Sequence, residues 1–172
     1  MLLTTPRLTL RPVTTADVST TYAYAGDLEN TRFMMFLPDA DEAETALHLA
    51  EAEAQWRMEK PERYEFALCL EGCHIGGITL YMMEDRTEAE LGWVLHKAYW
   101  RRGYVTEAVP AVIDFARSMG VKRVFACCDS ENVASYKTME KLGMRLCKAD
   151  GVRTNRSMGD EKRVELTYEI CW

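Results

Sequence analysis

The stretch "YWRRGYVTEA", Tyr99 to Ala108, sets two arginines and a glycine directly before an apolar helical pattern. Amides in the first turn of a helix lack intrahelical acceptors, and the helix dipole adds partial positive charge there. Gly103 has no Cβ to hold a ligand off the backbone, and Arg101 and Arg102 add full charges beside it. This arrangement suits capture of an anion, above all a phosphate or diphosphate. It is not a P-loop, for want of G-K-[ST], nor the dinucleotide G-x-G-x-x-G. The plain structural alternative is a strand-to-helix turn with two solvated arginines.

The elements that must position this turn can be read from periodicity. Val105, Ala108, Val109, Val112, Ile113 and Ala116 recur at helical spacing, and Gly120 ends the helix. Pro110 removes one of its backbone bonds and predicts a bend near Thr106. Before the helix, "RYEFALCL", "CHIGGITLYMM" and "EAELGWVLH" read as strands with short connections, an antiparallel meander. After it "KRVFACC" reads as a buried strand, and strand, helix, strand predicts that the flanking strands pair in parallel.

Upstream, "RLTLRPV" alternates as a strand, and Thr14 with Asp17 forms a capping box opening a short helix. The apolar loop "TRFMMFLPD" leads into a second helix with Ala43, Ala46, Leu47, Ala50, Ala54 and Met58 on its predicted inner face. "SENVASYKTMEKLG" predicts a further helix capped by Ser130 or Asp129, and two strands follow around "MRLCKA" and "RVELTYEICW". No linker or repeat interrupts the chain, so residues 1–172 are expected to form a single domain.

"AELGWVLHKAYWRRGYVTEAV", followed by "ENVASYKTMEKLGM", resembles the GNAT N-acetyltransferase superfamily, in its ribosomal-protein-alanine acetyltransferase branch. The resemblance extends over nearly the whole chain, including the opening "TPRLTLRPV". It implies an α/β (α+β) fold: a mixed, mostly antiparallel sheet of six to seven strands with a splayed central parallel pair, flanked by about four helices. It further implies acetyl-CoA as cosubstrate and no metal. The coenzyme's diphosphate would meet the backbone around Arg101, Arg102, Gly103, Tyr104, Val105 and Thr106. Its pantetheine arm would meet the backbone of Trp93, Val94 and Leu95, with Asn132 on the same arm and Lys137 reaching phosphate. Val105 departs from the family's usual Ala or Gly, and its place in the apolar stripe turns the side chain toward the core.

The implied reaction is direct attack of a primary amine on the thioester in a ternary complex. Glu90 is the first candidate base, matching a position where related enzymes often carry an acid; Glu65 is the reserve, and His96 is a weaker choice. Many family members use a tyrosine as general acid where this chain has Met139, which leaves Ser135 as the residue to donate or relay a proton to sulfur. By the family's arrangement Phe33, Met34 and Phe36 border the acceptor mouth, with Asp39, Asp41 and Glu42 supplying negative charge. The expected partners are a cationic amine or protein N-terminus, with a homodimer left open.

A net charge of −6 argues against an electrostatic grip on nucleic acid. No apolar run is long enough for a membrane helix, and "MLLTTPRLTLRPV" lacks the order of a secretory signal, so a soluble, cytoplasmic enzyme is expected. The six cysteines form no C-x-x-C pair and are expected to be buried, reduced thiols. Two rivals stand beside the enzyme reading: a catalytically idle acyl-CoA-binding or sensing domain, and a flavodoxin-like phosphate binder, which would require a mostly parallel sheet.

Overall fold

The computed structural model describes residues 1–172. Its centre is one eight-stranded sheet: β1 (Leu3–Thr4), β2 (Leu8–Pro12), β3 (Arg63–Leu70), β4 (Cys73–Met82), β5 (Glu88–Leu95), β6 (Arg123–Asp129), β7 (Arg145–Arg153) and β8 (Arg163–Cys171). The spatial order is β1-β2-β3-β4-β5-β6-β8-β7. Only β5 and β6 run parallel; every other neighbouring pair is antiparallel. That pattern matches the mixed sheet with one central parallel pair and removes the flavodoxin-like alternative. The strand beyond the expected seven is the two-residue β1, too short to show in an alternation pattern.

Five helices accompany the sheet: α1 (Val18–Ala25), α2 (Leu28–Thr31), α3 (Glu42–Gln55), α4 (Tyr104–Ser118) and α5 (Val133–Lys141). α4 buries Ala108, Val109, Val112, Ile113 and Ala116, as its stripe predicts, and adds Tyr104 and Phe115. These residues join Phe66, Ile78, Leu80, Leu91 and Val124 in the larger core cluster. The helix runs on through Pro110, which is exposed, so the proline ring meets water rather than a packed neighbour. The capping box of Thr14 and Asp17 is present, and Arg11 grips the same Asp17 carboxylate at 2.6 and 2.8 Å.

α3 lies differently from expectation. Thr45, Leu49, Ala52 and Gln55 are buried, whereas Leu47 is 75% exposed and Ala43, Ala50, Ala54 and Met58 also face outward. An alanine-rich helix carries little apolar contrast between its faces. The choice falls to Leu49 and Ala52, which pack on Val13, Ala67 and Cys69, and to polar bonds: Thr45 donates to Asp39, and Gln55 accepts from the Glu62 amide. The cysteines also divide. All six are free; Cys69 and Cys128 are buried and Cys127 is half-buried, but Cys73, Cys147 and Cys171 are exposed because they stand at a hairpin end, on the edge strand β7 and next to the chain end.

Candidate active site

The parallel ladder of β5 and β6 is three pairs long: Glu88 with Arg123, Ala89 with Val124, Glu90 with Phe125. β5 continues to Leu95 and β6 to Asp129 without further pairing between them, so the strands diverge. The gap opens a cleft of about 810 Å³. On the β4 side the strands press close: a Cβ at Gly76 would overlap the Val94 carbonyl oxygen, so that position requires glycine.

Alternation decides which main-chain groups face the gap. Met83 and His96 donate to Glu88 and Ile75 across the β4–β5 ladder, so Glu90, Gly92 and Val94 also turn their N–H and C=O toward β4. The groups of Leu91, Trp93 and Leu95 point the other way. The Leu95 carbonyl is already taken, accepting from Asn30 Nδ2 at 2.9 Å and Trp100 Nε1 at 2.7 Å. Trp93 is therefore left with backbone groups that have no strand partner, while Val94, its backbone paired with β4, also lines the cleft.

At the wide end of the cleft the chain turns into α4 through two left-handed residues, Arg101 (φ 62°) and Gly103 (φ 78°). The first internal bond is from the Glu107 amide to the Gly103 carbonyl, which leaves the amides of Tyr104, Val105 and Thr106 without a helical acceptor. Arg101 and residues 103–106 line the cleft. Arg102 does not: its guanidinium lies 5.8 Å from the Tyr99 ring centroid. Val105 is partly buried against the core, as expected for its stripe position.

α5 forms the opposite wall with Asn132, Ser135, Lys137, Met139 and Lys141. Its cap is Asn132, not Ser130 or Asp129, since the Asn132 side chain accepts from the Ser135 amide at 3.2 Å; Asp129 is instead wholly buried and bonded to Arg163 and Asn155. Lys137 is exposed and pairs with Glu140 at 2.8 Å. Met139 is 1% exposed and belongs to the core, and Ser135 lies beside the Cys128 thiol. Burial pushes that thiol up to about 11, with Ser135 acting in the other direction.

Glu90 stands at the vertex. Burial raises its pKa first, Glu165 raises it further by repulsion, and Arg153 pulls it down. Tyr81 faces Glu90 in the β4–β5 register, and its ring lies 3.7 Å from where a Gly92 Cβ would be. Arg153 is itself tied to Glu165 (3.4 Å), Asn155 (3.0 Å) and the Phe33 carbonyl (3.0 Å). Phe33, Met34 and Phe36 line this end, and Phe36 is 77% exposed.

Glu65 lies outside the cleft, where His48 Nε2 sits 3.0 Å from both of its oxygens. Asp39, Asp41 and Glu42 are also outside and serve local structure: Asp39 accepts from Thr45, Asp41 caps α3, and Glu42 meets Ser19. His96 caps a turn, accepting from the Ala98 amide. Tyr81, Cys127, Arg153, Lys141 and Asn30 line the cleft without having been singled out from sequence. No cluster of three or more His, Cys, Asp or Glu side chains is placed to hold a metal ion.

Residues 7–145 match the family model described as Acetyltransferase (GNAT) domain. The uncharacterized N-acetyltransferase YnaD of Bacillus subtilis (strain 168) is 32% identical over 149 residues, 84% of this chain and 83% of that protein. A GNAT-family acetyltransferase from Bacillus anthracis superposes with a TM-score of 0.84 at 25% identity, covering 99% of this chain and 98% of its own. RimL, the ribosomal L7/L12 alpha-N-protein acetyltransferase solved with coenzyme A, shares the fold with a TM-score of 0.86 at 13% identity, covering 99% and 98%.

Proposed function

The chain belongs to the GNAT family and is an N-acetyltransferase, and from this premise we propose that it moves the acetyl group of acetyl-CoA to a primary amine by direct attack. The acceptor is a peptide or protein N-terminus or a small cationic amine. The observation that carries this reading is the divergence of β5 and β6 just past Glu90, with the amides of Tyr104–Thr106 at the wide end of the same cleft.

Those amides, and the main-chain groups of Trp93, are polar atoms without partners, which fits a coenzyme that brings a diphosphate at one end and an amide-bearing arm along its length. RimL, of the same fold, was solved with coenzyme A. When bound, acetyl-CoA supplies a thioester with an electrophilic carbonyl carbon. The protein's part is to hold it, orient the amine and move protons. The amides of residues 103–106 bind the phosphates, and Arg101 and Lys137 offset their charge; Lys137 reaches them by leaving Glu140. Trp93 pairs with the arm, Val94 and Leu95 shape its floor, and Asn132 offers the side-chain amide nitrogen that its capping bond leaves free.

Glu90 takes the proton from the acceptor ammonium. An α-amino group with pKa ~7.8 is already about a tenth neutral at pH 7, whereas a lysine-like amine near 10.4 needs ~4.6 kcal/mol to lose its proton. A carboxylate with a raised pKa suits the first task and is a poor match to the second. Ser135 donates or relays a proton to the departing sulfur. Phe33, Met34 and Phe36 give the acceptor an apolar border. Residues 1–172 act as one acetyltransferase unit, and six unpaired thiols suit a reducing, cytoplasmic setting.

The deciding experiment follows release of the coenzyme thiol from acetyl-CoA across a panel of peptide N-termini, polyamines and aminoglycosides. Amine-dependent release with a stoichiometric acetylated product supports the reading. Tight binding of coenzyme A with no amine-dependent release would instead identify an idle sensing domain, the alternative that Met139 in place of a tyrosine raises.

A further inference from the structure

Glu107, in the first turn of α4, is held by residues a hundred positions earlier. Thr5 Oγ1 donates to its Oε1 at 2.6 Å, the Arg7 amide donates to the same oxygen at 2.8 Å, and Arg7 Nε donates to Oε2 at 2.6 Å. Arg7 then reaches past Glu107. Its Nη1 donates to the Arg102 carbonyl at 3.1 Å, and its guanidinium carbon lies 4.5 Å from the Tyr104 ring centroid. One side chain thus touches residues on both sides of Gly103, the left-handed turn from which the open amides of α4 begin.

Two physical effects follow. The turn has Arg101 as well as Gly103 at positive φ, an arrangement that costs free energy for a residue with a Cβ and persists only where neighbours hold it. Arg7, immediately before β2, bonds the main chain of this turn directly, at the Arg102 carbonyl. The second effect is electrostatic. A carboxylate in the first helical turn is welcome to the dipole but repels any anion seeking the same amides. Burial opposes ionisation of Glu107, yet the bonds from Thr5 and Arg7 hold its carboxyl below the ordinary range, so it is charged, and the paired guanidinium cancels that charge.

We propose that Arg7 is a positioning residue for the coenzyme: bound to Glu107 and to the Arg102 carbonyl, it keeps the Gly103 turn in its anion-receiving shape and screens the Glu107 charge from the diphosphate. The proposal rests on acetyl-CoA as the donor. It gives the N-terminal segment, far from the reacting atoms, control over coenzyme affinity without a part in the chemistry.

The test measures coenzyme A binding by calorimetry, and separately kcat and both KM values, for the unsubstituted protein, Arg7→Ala, Arg7→Lys and Glu107→Gln. Arg7→Ala is expected to raise the coenzyme Kd and the acetyl-CoA KM about tenfold, the size of one to two lost charge-assisted bonds, leaving saturated kcat and the acceptor KM within about twofold. Arg7→Lys keeps the charge but cannot bridge both partners, so its effect is smaller and in the same direction. If Arg7→Ala does not fold, the lysine variant decides: a raised Kd at unchanged thermal stability supports the proposal, and an unchanged Kd overturns it. Equal losses in kcat and in both KM values also overturn it, as the mark of general loosening. Absence of coenzyme binding to the unsubstituted protein would overturn the donor assignment as well, whereas binding indifferent to Arg7 overturns this proposal alone.

Discussion

Glu90 lies opposite Phe125 in the last pair of the β5–β6 ladder, so its carboxylate stands where the two strands part. Backbone pairing on one side and open cleft on the other give it burial without a salt bridge of its own, since Arg153 spends its bonds on Glu165, Asn155 and the Phe33 carbonyl. Its pKa is raised for that reason.

Replacing Glu90 with Gln is expected to lower kcat/KM about 10²-fold near neutral pH, the usual worth of a positioned base. The acid limb of the pH profile carries the sharper signature. A base works when deprotonated, so activity falls as pH drops through the raised Glu90 pKa. Glu165→Gln removes a repulsion and should move that limb to lower pH. Profiles of kcat/KM from pH 5 to 9 check both, and a limb that Glu165→Gln leaves in place would speak against Glu90 as the base.

Ser135→Ala should lower kcat by a few-fold to about tenfold, with little change in either KM. A thiolate with pKa ~8.5 departs tolerably without an acid. Single-turnover rates with acetyl-CoA in excess isolate this step. A wild-type rate across the pH range would mean that sulfur is protonated by solvent.

Gly103→Ala tests the anion turn. The site has room, the nearest atom to an added Cβ being Arg7 Nη2 at 3.7 Å, but φ is 78°. Left-handed backbone costs an L-residue with a Cβ roughly 1–2 kcal/mol. The expected outcome is a higher acetyl-CoA KM and a modest fall in thermal midpoint, read by calorimetry and steady-state kinetics; a KM unaltered at lowered stability would place the diphosphate elsewhere.

Two histidines should give stability opposite pH dependences. Burial lowers the pKa of His74, so below about 6.5, its ordinary value, the unfolded chain takes up a proton that the folded protein resists, and stability is lost as pH falls. His48 is raised, chiefly by its bond to Glu65; its contribution is full below that same ordinary value and fades as pH climbs through the folded pKa. Denaturation midpoints between pH 5 and 8 should therefore lose acid sensitivity in His74→Gln and lose alkaline sensitivity in His48→Gln. Parallel curves for the two variants would contradict these environments.

The fold was largely legible in sequence because its long elements have strong periods. The stripe from Val105 to Ala116 and the strands on either side of it led to the parallel pair, and the family resemblance to its splay. α3 failed where alanines on several faces made the stripe ambiguous, and Leu49 and Thr45 chose through contacts made far along the chain. The cleft divides the same way. Arg101, Gly103 and Asn132 sit in local motifs that a reader can find. Tyr81, Arg153 and Glu107 acquire meaning only from pairing across the sheet or from Thr5 and Arg7, and no spacing rule connects residues so distant. Glu65 shows the converse: an acid on an alternating strand looks available, yet the register turns it to His48.

The sealing of the Leu95 carbonyl by Asn30 and Trp100 has a geometric consequence. Along that margin of the sheet the rungs beyond the ladder are unequal: Trp93 keeps both main-chain groups open, while Leu95 has given its carbonyl to side chains. If the proposed coenzyme pairs along this margin, Trp93 is the rung that can both give and accept, which favours one register for the tether between its anionic head and the carbon that meets Glu90.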